Sequence, residues 1–284
     1  MGGRAGSMLR DITLGQYYPV NSILHRLDPR TKLFGTLVFI VSLFLCSSWT
    51  GYVAAAVFLI LVIRLSKVPF HFMVRGLKAI MILLLISVAF NLFLTDGEVI
   101  FKIGFLKVTR EGIRIAVFMA IRLVFLVLGS TIMTLTTTPN SLTDGLERSL
   151  GFLNRVGIPV HEIAMMMSIA LRFIPILIEE TDKIMKAQMA RGADFESGNL
   201  IRKAKAMVPL LVPLFISAFR RATDLAMAME ARCYHGGSGR TKMKPLQYKT
   251  ADHIGYPVLF LYLGIVICLR IFPPKFLPLS APVR

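Results

Sequence analysis

Five long apolar runs constrain what this chain can fold into more than any other feature. They are residues 33–49, 51–63, 79–95, 113–137 and 254–272. A transmembrane helix needs about 20 mostly apolar residues, with a range near 17–25, so the second run must borrow flanking residues. Because helices satisfy their own backbone hydrogen bonds in lipid, the sequence predicts an all-α membrane protein with about five transmembrane helices.

The charged residues are few and lie between these runs. They make up 17% of the 284 residues, hydrophobic residues make up 55%, and the net charge is +17. Basic residues beside transmembrane ends set orientation and attract anionic lipid, whereas the chain lacks the aromatic and basic pattern of a single-strand binder. We therefore expect contact with a lipid bilayer, no nucleic acid as a partner, a cytoplasmic N-terminus and a C-terminus on the outside.

The stretch between the fourth and fifth runs is too long for a connecting loop. It is apolar in places but amphipathic and charged in others, a pattern typical of long helices lying along or under a membrane. Glycine and proline signals predict helices over residues 139–156, 161–191 and 199–232. The sequence thus divides into a tail with four transmembrane helices (1–137), a cytoplasmic or interfacial region of long helices (138–253), and a last transmembrane helix with a C-terminal tail (254–284).

Two short triplets lie at the predicted ends of the two longest of these helices. They are Ala190-Arg191-Gly192 and Ala231-Arg232-Cys233, and their arginines are 41 positions apart (232 − 191). A small residue before the arginine permits close approach of another backbone, and a helix-ending residue after it lets the guanidinium project from the end. A basic residue in a last turn can also simply complement the helix dipole. The repetition favours a pair of matching contact sites.

Catalytic and metal-binding patterns are missing from the sequence. The glycine-rich segment 236–242 does not fit the phosphate-binding loop G-x-x-x-x-G-K-[ST], and His161-Glu162 lacks the second histidine of a zinc motif. Cys46, Cys233 and Cys268 have neither a paired spacing nor a ligand cluster. We therefore expect a protein that is not an enzyme and that holds neither a cofactor nor a metal ion.

Several segments closely resemble the transmembrane T component (EcfT family) of energy-coupling factor transporters, a class of ABC-type transporter for vitamins and metal ions. They are residues 15–17 and 21–32 near the N-terminus, residues 169–175 and 187–194, and residues 230–234. The similarity covers nearly the whole chain. Cys233 departs from the pattern, because glycine is common at the third position of such triplets.

The resemblance implies an all-α scaffold with cytoplasmic coupling helices in the cell (inner) membrane. It implies two ABC-type ATPase subunits, identical or different, as partners, together with a membrane S component that binds a vitamin or a transition metal ion. Each triplet, Ala190-Arg191-Gly192 and Ala231-Arg232-Cys233, would dock in a groove of one ATPase. The chain would then transmit ATP-driven motion to the S component, while the ATPases hydrolyse the nucleotide.

The alternative is a self-contained transporter or channel in which Arg114 and Arg122 line a pathway. Arginines inside a membrane are costly and usually functional or paired, although Arg114 lies near a helix end where its side chain can reach the interface. Inverted repeats and broken midplane helices, which many such transporters have, are not evident. Purification with two ATPases and a small membrane protein would support the coupling role, and a lone homo-oligomer would support the alternative.

Overall fold

The computed structural model describes residues 17–46, 48–95, 98–103, 106–193, 195, 200–237 and 241–272. The helices are α1 (Ile23–Arg26), α2 (Pro29–Leu45), α3 (Trp49–Ser66), α4 (Phe70–Leu94), α5 (Arg110–Thr136), α6 (Pro139–Ser149), a 3-10 helix (Gly151–Val156), α7 (Val160–Ala190), α8 (Leu200–Glu230) and α9 (Thr250–Ile271). One antiparallel hairpin, β1 (Val99–Ile103) and β2 (Leu106–Thr109), joins α4 to α5. The predicted all-α class is confirmed. Gly15, Gln16 and the C-terminal tail from residue 273 lie outside the described residues.

Short polar side chains begin several of these helices. The Asp28 carboxylate accepts a hydrogen bond from the Arg30 amide at 2.9 Å, and Pro29 occupies the first helical position of α2. Thr109 caps α5 in the same way by accepting from the Gly112 amide at 3.0 Å. Capping side chains and an initial proline satisfy or remove backbone donors that have no partner inside the helix. The helix starts therefore follow from local sequence.

Backbone contacts divide the chain into two compact units. Among the described residues, the spanning unit consists of 17–145 and 246–272, and the long-helix unit lies within 146–245. Inside the spanning unit, Tyr262 stacks on Phe58 with ring centroids 4.1 Å apart, and its hydroxyl lies 2.7 Å from that of Ser42. Large apolar side chains also cover the outside of this unit, as expected for a surface that faces lipid.

Several helices are long and apolar enough to cross a membrane. By length and composition they are α3, α5, α7 and α9, with α4 as a fifth if its two parts, bent by 60° around residue 79, are counted as one span. Helix α2 has 17 residues, at the short end of the range for a span. The chain is thus a multi-pass membrane protein. Helix α7 lies within residues 138–253 and is itself long and apolar enough to span. The placement of residues 138–253 on one side of the membrane therefore stays a prediction.

The long-helix unit contains two helices of 31 residues each, α7 and α8. At 1.5 Å per residue each is roughly 45 Å long. The predicted helix over 139–156 is α6 followed by the 3-10 helix, which ends at Gly157 with a φ of 86°. The predicted helices over 161–191 and 199–232 are confirmed to within two residues at each end.

Candidate functional site

The first triplet forms the C-terminal end of α7. Arg191 is the C-cap residue, and Gly192 follows in the left-handed region with a φ of 88°. The Ala193 amide donates to the Gln188 carbonyl and the Gly192 amide donates to the Met189 carbonyl, both at 3.0 Å. This pair of hydrogen bonds is the Schellman motif, which satisfies the last carbonyls of a helix and turns the chain away.

The second triplet forms the end of α8 with the same geometry. The Tyr234 amide donates to the Met229 carbonyl at 3.1 Å, and the Cys233 amide donates to the Glu230 carbonyl at 2.8 Å. Cys233 takes the left-handed position with a φ of 56°. In both triplets, therefore, alanine is the last residue before the cap, arginine is the cap, and a left-handed residue follows.

All six triplet residues are exposed: Ala190, Arg191, Gly192, Ala231, Arg232 and Cys233. Among the described residues, neither the Arg191 nor the Arg232 guanidinium has a carboxylate within ion-pair distance. Each guanidinium keeps a planar set of donors that suits a carboxylate or a group of carbonyls. The geometry gives the chain two similar, positively charged helix ends.

An ion pair links α7 and α8 at matching positions. Arg221 Nη2 lies 3.0 Å from Glu180 Oε2. Glu180 precedes Arg191 by 11 residues (191 − 180), and Arg221 precedes Arg232 by 11 residues (232 − 221). Each arginine therefore lies about 16 Å along its helix beyond the contact. The two helix ends extend equally from one junction.

A polar cluster holds the segment that follows the second triplet. The Glu147 carboxylate lies 2.9 Å from His161 Nδ1 and accepts a hydrogen bond from Lys242 Nζ at 2.5 Å. Burial disfavours the ionised carboxyl, but the hydrogen bonds from Lys242 and His161 outweigh it and lower the pKa of Glu147. Gly237 lies so close to the His161 ring that a β-carbon there would overlap it. We call these four residues the Glu147 cluster.

Sequence reasoning missed this cluster. It noted His161 only as an incomplete metal motif, and residues 236–242 only as a segment that fails the phosphate-binding pattern. Glu147 and Lys242 are 95 residues apart, so no local pattern joins them. The glycine pair at 236 and 237 could have indicated a tightly packed turn here. Gly236 has a φ of 97°, and Gly237 leaves no room for a side chain.

The arginines of the alternative pathway hypothesis have protein contacts in the spanning unit. Arg122 Nε donates to the Tyr52 hydroxyl at 3.0 Å, and its Nη2 lies 3.4 Å from the Cys46 carbonyl. Cys46 is the C-cap of α2, so Arg122 places a positive charge at the negative end of that helix. Arg114 lies 5.8 Å from the centre of the Phe118 ring. Arg122 thus has a structural role that the sequence did not show.

Over the described part of the chain, no three His, Cys, Asp or Glu side chains come together as a metal site requires. The three cysteines are free; Cys46 is buried, and Cys233 and Cys268 are exposed.

Comparison with known proteins identifies the family. Residues 20–243 match the CbiQ family, described as cobalt transport protein. The energy-coupling factor transporter transmembrane protein EcfT of Clostridium kluyveri is 55% identical over 267 residues, which cover 93% of this chain and 99% of that protein. The chain belongs to the EcfT family. EcfT proteins of Thermosediminibacter oceani (57% over 244 residues, 86% of this chain and 92% of the relative) and Bacillus subtilis (50% over 246 residues, 86% and 93%) are also similar.

Membership of the EcfT family agrees with the fold. The chain is the transmembrane component of an energy-coupling factor transporter, and its apolar helices make it a multi-pass membrane protein. A transporter of this kind is a complex with other subunits. The resemblance found in the sequence is therefore confirmed at the level of the family.

Proposed function

We propose that this chain is the scaffold and energy-coupling subunit that joins two ABC-type ATPases to a substrate-binding S component. The observation that carries the proposal is the identical end geometry of α7 and α8, each with an exposed arginine at the cap. Ala190-Arg191-Gly192 would dock in one ATPase and Ala231-Arg232-Cys233 in the other.

ATP-driven closure of the ATPase pair would move the two helix ends, and α7 and α8 would carry the motion. Transmission requires elements that are rigid and contacted at both ends. Helices of 31 residues meet this requirement, and Glu180 and Arg221 mark the level at which the two helices contact each other. In this proposal the ATPases hydrolyse ATP and the chain has no catalytic role.

One face of α8 supports an S component as the second partner. Seven apolar side chains on this helix are each at least half exposed: Met207, Val208, Leu211, Val212, Phe215, Ile216 and Phe219. Residues three and four apart lie on the same side of a helix, so they form one continuous stripe. An apolar stripe of this length favours contact with another membrane protein, and its methionine suits a surface that repacks on its partner.

The proposed orientation places the N-terminus, both triplets and the long helices on the cytoplasmic side of the cell (inner) membrane. Native Cys233 is exposed and serves as a probe once Cys46 and Cys268 are replaced. In cells that produce this chain without the ATPases, Cys233 should react with an impermeant thiol reagent only after permeabilisation. Glu98→Cys, at an exposed position before the hairpin, should react in intact cells. Labelling of Cys233 in intact cells would reverse the orientation and exclude the proposed contact with ATPases.

Substitution of the two arginines tests the contact with the ATPases. Truncating one partner of a buried charged contact costs about 2–5 kcal/mol, so Arg191→Ala and Arg232→Ala should each weaken ATPase co-purification and substrate uptake. The double variant should lose more than either single variant, and Arg→Lys should restore only part, because lysine lacks the planar fork.

Lys186→Ala and Arg220→Ala are matched controls for this experiment. Both residues are exposed and basic, and they lie on α7 and α8 outside the triplets. They should retain the ATPases. If the double triplet variant co-purifies with ATPases as the wild type does, the triplets are only helix caps and the proposal fails. A wild-type chain that purifies as a lone homo-oligomer with uptake activity would support a self-contained transporter instead.

A further inference from the structure

The spanning unit contains an apolar groove near the N-terminal end of α2. It has a volume of about 240 Å³ and is formed by α1, α2, α3, α5 and α9. Its walls include Leu24, Phe39, Val62, Ile132 and Val258. Two further lining residues, Ile23 and Ile254, are more than half exposed, so the groove opens to the surface of the unit rather than being enclosed.

Polar groups with unused hydrogen-bonding capacity lie at one end of this groove. Thr31 is only 2% exposed, and its hydroxyl has no hydrogen-bond partner among the described residues. A buried hydroxyl without a partner costs free energy, so such a group calls for an explanation. Thr31 lines the groove, and an acceptor that entered there would satisfy it.

Lys32 supplies a positive charge at the same end. Its ammonium donates to the Thr136 carbonyl at 2.8 Å and lies 3.5 Å from the His25 carbonyl. Over the described residues no carboxylate lies within ion-pair distance of it. An ammonium has three donors, and the two carbonyls engage at most two of them. Asp28 and Asp252 act on Lys32 electrostatically but form no ion pair with it, so Lys32 offers one ammonium donor to whatever occupies the groove.

We propose that this groove binds an anionic phospholipid from the leaflet on the Lys32 side. One acyl chain lies along the apolar walls, and a phosphate oxygen accepts hydrogen bonds from Lys32 Nζ and Thr31 Oγ1. Three features of the groove favour this occupant: an opening at the surface of the spanning unit, an apolar body and an end that carries a lysine ammonium. The volume is below the 300–1,000 Å³ typical of pockets for drug-sized ligands, which suits one hydrocarbon chain.

This site is independent of the proposed contacts with ATPases and an S component. It lies wholly within the spanning unit and uses none of the triplet residues. A lipid held there contacts α1, α2, α3, α5 and α9 together. We therefore expect bound anionic lipid to stabilise the packing of these five helices as well.

Native mass spectrometry of the full chain, delipidated in detergent and titrated with phosphatidylglycerol or phosphatidylcholine, tests the proposal. The wild type should bind one phosphatidylglycerol about tenfold more tightly than phosphatidylcholine, the lower end of the effect of a hydrogen bond to a charged group. Lys32→Gln should abolish this preference, and Thr31→Val should reduce it. Lys67→Gln, which removes an exposed charge outside the groove, should leave the preference unchanged.

A second pair of variants leaves Lys32 and Thr31 intact. Val258→Trp should fill the groove and remove the tightly bound lipid, whereas Leu261→Trp, at an exposed position on α9 outside the groove, should not. This pair decides the question if Lys32→Gln fails to fold. Absence of a preference for phosphatidylglycerol in the wild type would overturn the proposal. So would equal effects of the groove variants and their controls.

Discussion

Exchanging the residues that follow the two arginines should change the stability of the two helix ends in opposite directions. Cys233 and Gly192 both adopt left-handed backbone conformations, with φ values of 56° and 88°. In this region a residue with a β-carbon destabilises the folded helix end by roughly 1–2 kcal/mol relative to glycine. Glycine, in turn, is less favourable by about 0.4–1 kcal/mol because its unfolded chain has more conformational freedom to lose. The net effect is about 1 kcal/mol, or about fivefold in a local opening equilibrium.

The structure shows that this effect belongs to the backbone alone. A β-carbon at Gly192 would meet no atom within 4 Å, and Cys233 is exposed. Gly192→Cys therefore adds strain without a clash, and Cys233→Gly removes strain without leaving a cavity. The two substitutions simply exchange the third residues of the triplets, so each is the matched control of the other.

Site-resolved amide hydrogen exchange measures the opening of each helix end. The Tyr234 amide, bonded to the Met229 carbonyl, should exchange about fivefold more slowly in Cys233→Gly. The Ala193 amide, bonded to the Gln188 carbonyl, should exchange about fivefold faster in Gly192→Cys. Changes of the same sign at both ends, or no change at either, would refute the assignment of strain to Cys233.

Two further perturbations test the remaining polar contacts. Asp252 is fully buried and accepts backbone hydrogen bonds from Asp28 and Lys249 at 2.8 Å, so Asp252→Ala should cost roughly 2–4 kcal/mol and lower the melting temperature in detergent. His253→Ala, a substitution of the exposed neighbouring residue, should leave the melting temperature unchanged. Equal melting temperatures of the two variants would contradict the role of Asp252. The pKa of Glu147 is lowered in the folded state, so its ionised form stabilises the fold. This stabilisation is complete above the ordinary pKa of a carboxyl group and is lost as the pH falls through the lowered pKa. Backbone amides of residues 234–237 should therefore lose protection against hydrogen exchange on acidification in the wild type. In Glu147→Gln their protection should already be low at neutral pH. The same pH response in both proteins would exclude Glu147 as its source.

Local sequence predicted the long helices well because their ends carry strong signals. Gly157 and Pro159 separate the 3-10 helix from α7, and Gly192 ends α7 in a conformation that glycine prefers. The second triplet was identified from its repetition of Ala-Arg although cysteine replaces glycine. The structure shows why this departure is tolerated, since Cys233 adopts the same left-handed conformation at an exposed position.

Other elements were missed or displaced for identifiable reasons. No strand was predicted between the third and fourth apolar runs, yet Val99–Ile103 and Leu106–Thr109 form the hairpin of β1 and β2. Valine, isoleucine and phenylalanine on either side of Gly104 favour strands, so the signal was present in the sequence. Helix α4 begins at Phe70, nine residues before the apolar run at 79–95, because its first part carries charged residues that a hydropathy criterion excludes.

Contacts between distant residues could not be predicted from one sequence. Residues 21–32 contributed to the family resemblance and to the basic charge near the N-terminus, and the structure gives them a further physical role. The Asp28 backbone amide donates to Asp252, 224 positions away, while the Asp28 carboxylate caps α2 and binds Arg30. This segment therefore joins the first long helix of the spanning unit to the last. Periodicity describes one element at a time and carries no information on such pairs.

The matching positions of Glu180 and Arg221 show how α7 and α8 are aligned. The ion pair is about one-third exposed, and pairs of that kind contribute at most about 1 kcal/mol, so it does not by itself hold the helices together. Apolar side chains near the same level, among them Leu177 on α7 and Ala218 on α8, border a shared patch and are again 41 positions apart. The spacing of the two triplet arginines thus equals the register in which the helices pack. Both triplet arginines lie the same distance along their helices from this junction. A displacement of either helix end is therefore transmitted to the junction over the same length of helix. Equal distances would let two ATPase subunits, attached as proposed, act on this junction in the same way.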